Sequence, residues 1–349
     1  MNKITEREKE IIKILKNDPM ISQEDLAQVV GISRSAVAVH ISNLIGKGFI
    51  LGRGYVFNDK TGVLILAPVF IEVEARTESD DGAALVDIRP GGAYLTAHYL
   101  AAQDIPTQLM SILGRDDWGG IIAERLKKQG VDTRYLIIQK DYPTPRRVKI
   151  IDSQNNWQRS VADQRAVAIL NRDSIQNMGV AVSNCRMLVV DGGIPAETVR
   201  HAVHLAREAA VPVCFRFPDE SDASIYNEEL NGLSVAIMAG PLAAGLTKSK
   251  IQDLDDGIKA GKVLNAMGIE VAVIVIPDQG VVLTGDSETV TVPLMPVQGK
   301  IQELSIDVLT GGLVSGILHG YDYRQAVRLG LGMAAQWAGK SRNLSKRQE

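Results

Sequence analysis

Ile11, Ile12 and Leu15 recur at helical spacing among charged neighbours, which predicts a helix from Thr5 to about Leu15. Thr5 supplies its cap, Glu8 completes a capping box three residues on, and Asp18-Pro19 ends it. Ser22 caps a second predicted helix, Gln23 to Val30, with Leu26, Val29 and Val30 turned inward. Gly31 supplies a tight turn, and Ser33 caps a third helix to about Ile45. On it Val37, Ile41 and Leu44 fall at i, i+4 and i+7, so Arg34, Ser35, Ala38 and Ser42 point outward. Gly46-Lys47-Gly48 stops this helix, and Phe49 to Phe57 reads as two short strands around Gly52-Arg53-Gly54.

From Thr61 the pattern changes to short apolar runs alternating with amphipathic stretches. Strands are expected at Val63 to Pro68, Thr107 to Leu113, Arg147 to Asp152, Met187 to Asp191, Val211 to Phe215, Val235 to Ala239 and Val271 to Ile276. Helices are expected at Ala93 to Ala102, Ile121 to Gln129, Ala196 to Ala209 and Asp256 to Met267. Such alternation predicts an α/β fold with a mostly parallel sheet and helices on both faces. Lys340 to Glu349 reads as a solvated tail.

Over 349 residues, 45% hydrophobic and 23% charged content describes a chain that buries a core without spanning a membrane. No run approaches the roughly 20 apolar residues of a membrane helix, and from the charged N-terminus no signal peptide is expected. A cytoplasmic protein with no membrane partner is the expectation. Cys185 and Cys214 make no disulfide framework, and with five scattered histidines no metal site is expected. The net charge of −3 is unevenly spread: residues 1–58 hold eight Lys/Arg and six Asp/Glu, leaving 30 against 35 for the rest. From Leu26 to Asn58 the charged residues are Arg34, Lys47 and Arg53, all positive, which suits a polyanion.

The string ISQEDLAQVVGISRSAVAVHISNLIGKGFI and the hairpin after it resemble the winged helix-turn-helix DNA-binding family, over residues 3–58. The resemblance implies double-stranded DNA as partner. Ser33, Arg34 and Ser35 would enter the major groove, with His40 and Lys47 completing the surface and Arg53 at the wing tip meeting phosphate or minor groove. Fewer than about ten phosphate contacts per protomer imply a homodimer on a two-fold site. A dimerisation or protein-docking module is the alternative, and the third helix, having no acid, favours DNA.

Pro90-Gly91-Gly92 before a helix is similar to the substrate-side GG motif of the ribokinase-like (PfkB) sugar and nucleoside kinases. Gly114-Arg115-Asp116-Asp117-Trp118-Gly119 is similar to their G-x-D-x-x-G turn, and PVQGKIQELSIDVLTGGLVSGILHG has the layout of their second signature. In this order the motifs resemble that family over residues 61–349, leaving 1–60 as a separate DNA-binding domain. The resemblance implies a three-layer α/β/α domain with a small β lid, here Val73 to Arg89 and the strand around Val148.

At the positions that carry the chemistry the chain departs from the family. The catalytic Asp ending the D-T-x-G-A-G-D segment falls at Gly311, and the G-A-G before it at Val308-Leu309-Thr310. Glycine accepts no proton, and branched residues stand where backbone must approach phosphate. Moving Asp307 into the base role would put Leu304-Ser305-Ile306 in the anion hole. The Mg²⁺-linked N-x-x-E falls near Gly240-Pro241-Leu242-Ala243, and the phosphate-side T-L-G-x-x-G at Val275-Ile276-Pro277-Asp278-Gln279-Gly280. The substrate Asp becomes Glu72, and the Asn after GG becomes Leu95 or Thr96.

Losing base, anion hole and metal motif together implies a catalytically silent kinase fold kept as a ligand sensor. Glu72, Gly91, Gly92, Arg146, Arg216, Thr310, Gly311 and Gly312 are expected at its cleft, with Thr310-Gly311-Gly312 opening a helix whose N–H groups hold an anion. Arg146, Arg147 and Arg216 either grip a phosphorylated ligand or are solvated or paired with acids such as Glu74 and Asp87. The expectation is a DNA-binding transcription regulator sensing a sugar, a nucleoside or a phosphorylated derivative, with no catalytic residue and no cofactor. Its competitors are an active kinase using ATP and Mg²⁺ with an appended DNA-binding domain, and a protein-interaction scaffold.

Overall fold

In the computed structural model, residues 5–18, 21–46, 50–52, 56–57, 62–77, 84–151, 157–176, 178–218, 231–285, 288–294 and 305–345 are described. Two units emerge, Met1–Thr61 and Gly62–Glu349. In the first, helix α1 (Glu6–Asn17) opens on a capping box: the Glu8 N–H donates to the Thr5 hydroxyl at 3.2 Å and the Thr5 N–H to the Glu8 carboxylate at 2.7 Å. Helix α2 (Gln23–Val30) is capped by Ser22 and ends at Gly31, whose φ of 71° is the left-handed turn glycine permits. Helix α3 (Arg34–Gly46) starts where the Ala36 N–H donates to the Ser33 hydroxyl. Strands β1 (Ile50–Gly52) and β2 (Val56–Phe57) pair antiparallel.

The core of this unit holds Ile11, Leu15, Leu26, Ala27, Val30, Val37, Ile41, Leu44 and Ile50. One expectation fails there. Val29 is 62% exposed, because the buried arc of α2 centres between Leu26 and Ala27 and Val29 lies more than a quarter-turn away. Lys47 and Arg53 lie outside the described residues.

The larger unit runs β3 (Val63–Leu66), β4 (Val69–Thr77), β5 (Ala84–Gly92), α4 (Ala93–Ala101), β6 (Thr107–Gly114), α5 (Asp117–Lys128), β7 (Leu136–Gln139), β8 (Arg146–Ile151) and β9 (Trp157–Asp163). It continues α6 (Met178–Asn184), β10 (Met187–Asp191), α7 (Ala196–Glu208), β11 (Val213–Arg216), β12 (Val235–Ala239), α8 (Gly240–Thr247) and α9 (Leu254–Ala266). Strands β13 (Val271–Ile276), β14 (Gly280–Gly285) and β15 (Thr289–Pro293) precede α10 (Ile306–Leu318) and α11 (Tyr323–Ser345). The expected tail at Lys340 is therefore helical through Ser345.

Among the described residues the main sheet has the order β15-β14-β13-β12-β11-β10-β3-β6-β7, parallel from β7 to β13 and antiparallel at the β14–β15 edge. Alternate strand residues feed two cores. Val63, Ile65, Val271 and Val273 face the layer of α4, α5, α10 and α11, whereas Leu64, Leu66, Ala272 and Ile274 face that of α6, α7 and α9. Doubly buried strands explain why their sequences read as unbroken apolar runs. Among the described residues, no helix is long and apolar enough to cross a membrane.

A second sheet, β5-β4-β8-β9, forms the lid. Its attachment uses the G-x-D-x-x-G turn. Asp116 caps α5 through the Gly119 N–H at 2.8 Å and takes the Thr144 N–H and hydroxyl at 2.8 and 2.6 Å, just before β8. A Cβ on Gly119 would lie 2.1 Å from the Gly114 oxygen, and one on Gly114 2.2 Å from the Thr144 nitrogen. Both glycines exist for this contact.

Candidate functional sites

Ser33, Arg34 and Ser35 are exposed at the start of α3, and the Ser33 and Ser35 hydroxyls lie 2.9 Å apart. His40 is half-buried on the same helix. The helix presents no acid and carries its guanidinium in the first turn. A helix face of this kind admits a polyanion and offers hydroxyl and apolar groups to whatever lies beyond the phosphates.

The larger unit builds its second site at the C-terminal ends of parallel strands, where ligands bind in open α/β sheets. Asp191 ends β10, Arg216 ends β11, and the two are register partners. Arg216 Nη1 lies 3.1 Å from Asp191 Oδ2, and its Nε 3.0 Å from Asp307 Oδ1 in the first turn of α10. All three are buried or nearly so. The Gly193 N–H donates to Asp191 at 2.6 Å, fixing that carboxylate. A buried cation between two buried acids is held by its neighbours and offers little charge to a ligand.

Helix α10 opens earlier than expected. Ser305 is its cap, Asp307 its first-turn acid, and the Val308 and Leu309 N–H groups donate to the Ser305 hydroxyl and carbonyl. Thr310, Gly311 and Gly312 therefore do not open the helix; they lie fully buried one turn in, and the Thr310 hydroxyl donates back to the Ile306 carbonyl. A Cβ on Gly311 would meet Tyr99 Cβ at 3.1 Å and the Thr96 oxygen at 3.2 Å, and one on Gly312 would meet Gly330 Cα at 2.4 Å. These glycines let α10 pack against α4 and α11 rather than approach a phosphate. Thr96 adds a hydrogen bond from its hydroxyl to the Asp307 carbonyl at 2.9 Å.

The inner face of the lid carries a ladder of charges. Glu72 pairs with Lys149 at 3.0 Å, Glu74 with Arg89 at 2.8 Å, and Asp87 also takes Arg89. Burial works against the Arg89 charge, but Glu72, Glu74 and Asp87 outweigh it and hold the guanidinium above its ordinary range. Arg89 lies over the Trp337 ring and Arg147 over the Phe70 ring, at 4.8 and 4.5 Å. Gly91 and Gly92 make room for Phe70: a Cβ on Gly91 would sit 2.8 Å from that ring and 3.1 Å from the Glu72 carboxylate. Arg146 points to the other face of β8, 3.7 Å from Asp116.

Glu72, Gly91 and Gly92 lie together on the lid, and Arg216 stands at the strand ends, taken by two acids. Residue-by-residue reading missed Asp191 and Lys149 as their partners. The Mg²⁺-linked position opens α8 as Gly240-Pro241-Leu242-Ala243, which offers no side-chain oxygen, so these residues do not fit a magnesium ion. Among the described residues there is no cluster of three metal-ligating side chains.

The winged helix-turn-helix DNA-binding model matches residues 4–50, and the pfkB family carbohydrate kinase model matches residues 61–345. The uncharacterized sugar kinase YeiI of Escherichia coli (strain K12) is 24% identical over 343 residues, which are 94% of this chain and 92% of the relative. A ribokinase of Haemophilus influenzae is 23% identical over 230 residues, 65% of this chain and 73% of the relative. The solved structure of Arabidopsis thaliana ribokinase complexed with ribose and ATP matches with a TM-score of 0.69 at 17% identity, covering 79% of this chain and 91% of that one. The fold of the larger unit is ribokinase-like, and the smaller unit is a winged helix-turn-helix domain.

Proposed function

The chain belongs to the pfkB family of carbohydrate kinases, and from that premise we propose that it is a DNA-binding transcription regulator whose kinase-like unit senses an uncharged sugar or nucleoside. The observation that carries the reading is the ion pair of Asp307 with Arg216, which engages the acid in the first turn of α10, while Gly311, the residue that the motif alignment gives for the family's base, is buried one turn in against α4 where an acid has no room. The first turn of α10, where phosphate charge would be held, already contains the Asp307 carboxylate locked to Arg216.

An uncharged ligand is favoured over a phosphorylated one. Arg216, Lys149 and Arg89 each have an acid against them, so anion binding would have to break an internal pair first. DNA binding requires two recognition helices for useful affinity, and a homodimer supplies them. A DNA partner supports a cytoplasmic location.

A second reading is an active kinase with Asp307 as its base. It is favoured by one feature, the position of Asp307 in the first turn of α10, and by the sugar kinases among the relatives. Against it, the carboxylate is engaged by a guanidinium, which weakens it as a base.

The experiment is a thermal-shift screen of sugars, nucleosides and their phosphates, paired with an ADP-release assay on every hit. A stabilising neutral compound with no ADP release is the expected result. ADP release at a typical kinase turnover of roughly 1–100 s⁻¹ that is lost in Asp307→Asn would replace this reading with the second.

A further inference from the structure

The outward stripe of α3 consists of Ser35, Ala38, Val39 and Ser42, spaced i, i+3, i+4 and i+7, opposite the buried Val37, Ile41 and Leu44. Val39 is 58% exposed in the middle of it. A β-branched apolar residue there gains nothing from helix propensity and nothing from burial. Ala38 and Val39 at its middle offer no hydrogen-bonding group, and the exposed Arg34 and Asn43, which can read guanine and adenine by paired hydrogen bonds, flank them one turn away on either side. Serine hydroxyls do not discriminate well, since they donate or accept with any base. At the middle of the stripe the chemistry is two methyl-bearing side chains, and the major groove has one apolar base feature, the 5-methyl group of thymine. Charge complements this, since Arg34 stands at the start of the helix and no acid follows it on α3.

We propose that Ala38 and Val39 are specificity-determining residues that read thymine methyl groups, so that each half-site places thymines opposite the middle of α3. The proposal rests on the DNA-binding reading and adds the base it selects. Arg34 and Asn43 then flank the reading surface, and preference at the middle of each half-site comes from contact with the methyl groups.

The full-length protein is used to select sites from random duplex DNA, and each thymine of the selected site is then replaced by uracil, which removes the methyl group alone. One or two positions per half-site should lose roughly three- to fivefold in affinity, the size expected for exposing one carbon. In Val39→Ser or Ala38→Ser, whose exposed positions leave the core intact, that loss should disappear at the matching thymine. Selected sites that bind equally well with uracil throughout would overturn the methyl inference while leaving DNA binding standing. So would a uracil penalty that persists in both variants. Failure to select any site would instead remove the DNA-binding reading on which it rests.

Discussion

The Arg216 guanidinium lies 3.0 Å from the Asp307 carboxylate, joining the end of β11 to the first turn of α10. Asp191 completes the group from β10 at 3.1 Å. Their side chains are only 7 to 13% exposed, so removing the cation leaves two acids facing each other with little water. Arg216→Met should cost about 3–5 kcal/mol in urea unfolding, the range for breaking a buried ion pair. Asp307→Asn should cost less, since Asp191 still holds the guanidinium. A loss under ~1 kcal/mol for Arg216→Met would mean that the group is hydrated and open to ligand.

Gly311→Asp puts an acid at the residue that aligns with the family's base. The new Cβ would start 3.1 Å from Tyr99 Cβ, and the carboxylate would enter a contact between α10 and α4. Overpacking of this kind costs about 1–3 kcal/mol before any charge is counted. The variant should melt several degrees lower and show no ADP release, with Gly311→Ala taking part of the same loss by sterics alone. A stable variant with sugar-dependent turnover would overturn the packing role.

How much of this was legible in sequence differs by the range of the forces involved. The caps at Thr5, Ser22 and Ser33 were legible because capping is local chemistry. The doubly buried strands were legible as apolar runs, whereas β14, with only Val281-Val282-Leu283 consecutive, and the alternating edge strand β15 left no run long enough to register. At the site, alignment to the family motif placed the helix start at Thr310, whereas the cap is Ser305, whose hydroxyl takes the Val308 N–H. Asp191 and Arg216 end adjacent buried strands at one register, a pairing that sequence carries once strand order is known. Asp307 joins them only through the tertiary approach of α10, which no local pattern encodes.

Asp116 should contribute to the acid limb of stability. Burial pushes its carboxyl up, but hydrogen bonds from the Thr144 hydroxyl and N–H and the Gly119 N–H, with the Arg146 charge, outweigh it and hold the group below its ordinary 3.8. A lowered value in the folded state means stabilisation that is present above the unfolded value and lost as pH falls through the folded one. Asp116→Ala should cost about 1–2 kcal/mol at neutral pH for the lost cap, and the difference from the parent should shrink below pH 4. A difference independent of pH would show that the lost contacts are not those of the ionised carboxylate.

Cys214, buried among the strands, gives the opposite limb. Burial pushes its thiol up to about 12 from an ordinary 9.0. A raised value means stabilisation fully present below pH 9 and lost progressively toward pH 12, as the unfolded chain alone releases the proton. The native protein at pH 8 should therefore leave Cys214 unreacted with a disulfide reagent over many minutes, and denaturant should expose it at once. Rapid native labelling at that position would contradict the burial.

The outer face of the lid bears on the proposed dimer. Ile88, Val73, Val148 and Val161 are successive register partners across all four strands, and Val86, Ala75 and Ile150 form the next row. Val86, Ile88, Ile150 and Val161 are between 39 and 59% exposed, a continuous apolar surface of the kind that marks an interaction site. The Ile88-Val73-Val148-Val161 row is uncharged and spans the sheet, whereas the next row meets Arg159 on β9, so a two-fold axis through the first row would bring like against like without opposing charges, as a self-complementary interface needs. Ile88→Lys combined with Val161→Lys should convert a dimer to a monomer in sedimentation equilibrium. Neither side chain contributes to the core, so thermal unfolding should keep its cooperativity. DNA affinity should fall by much more than the factor of two in site number, because each protomer carries one recognition helix and loses its partner's. A variant that stays dimeric places the interface elsewhere, and one that becomes monomeric with unchanged DNA affinity would remove the two-fold site from the argument.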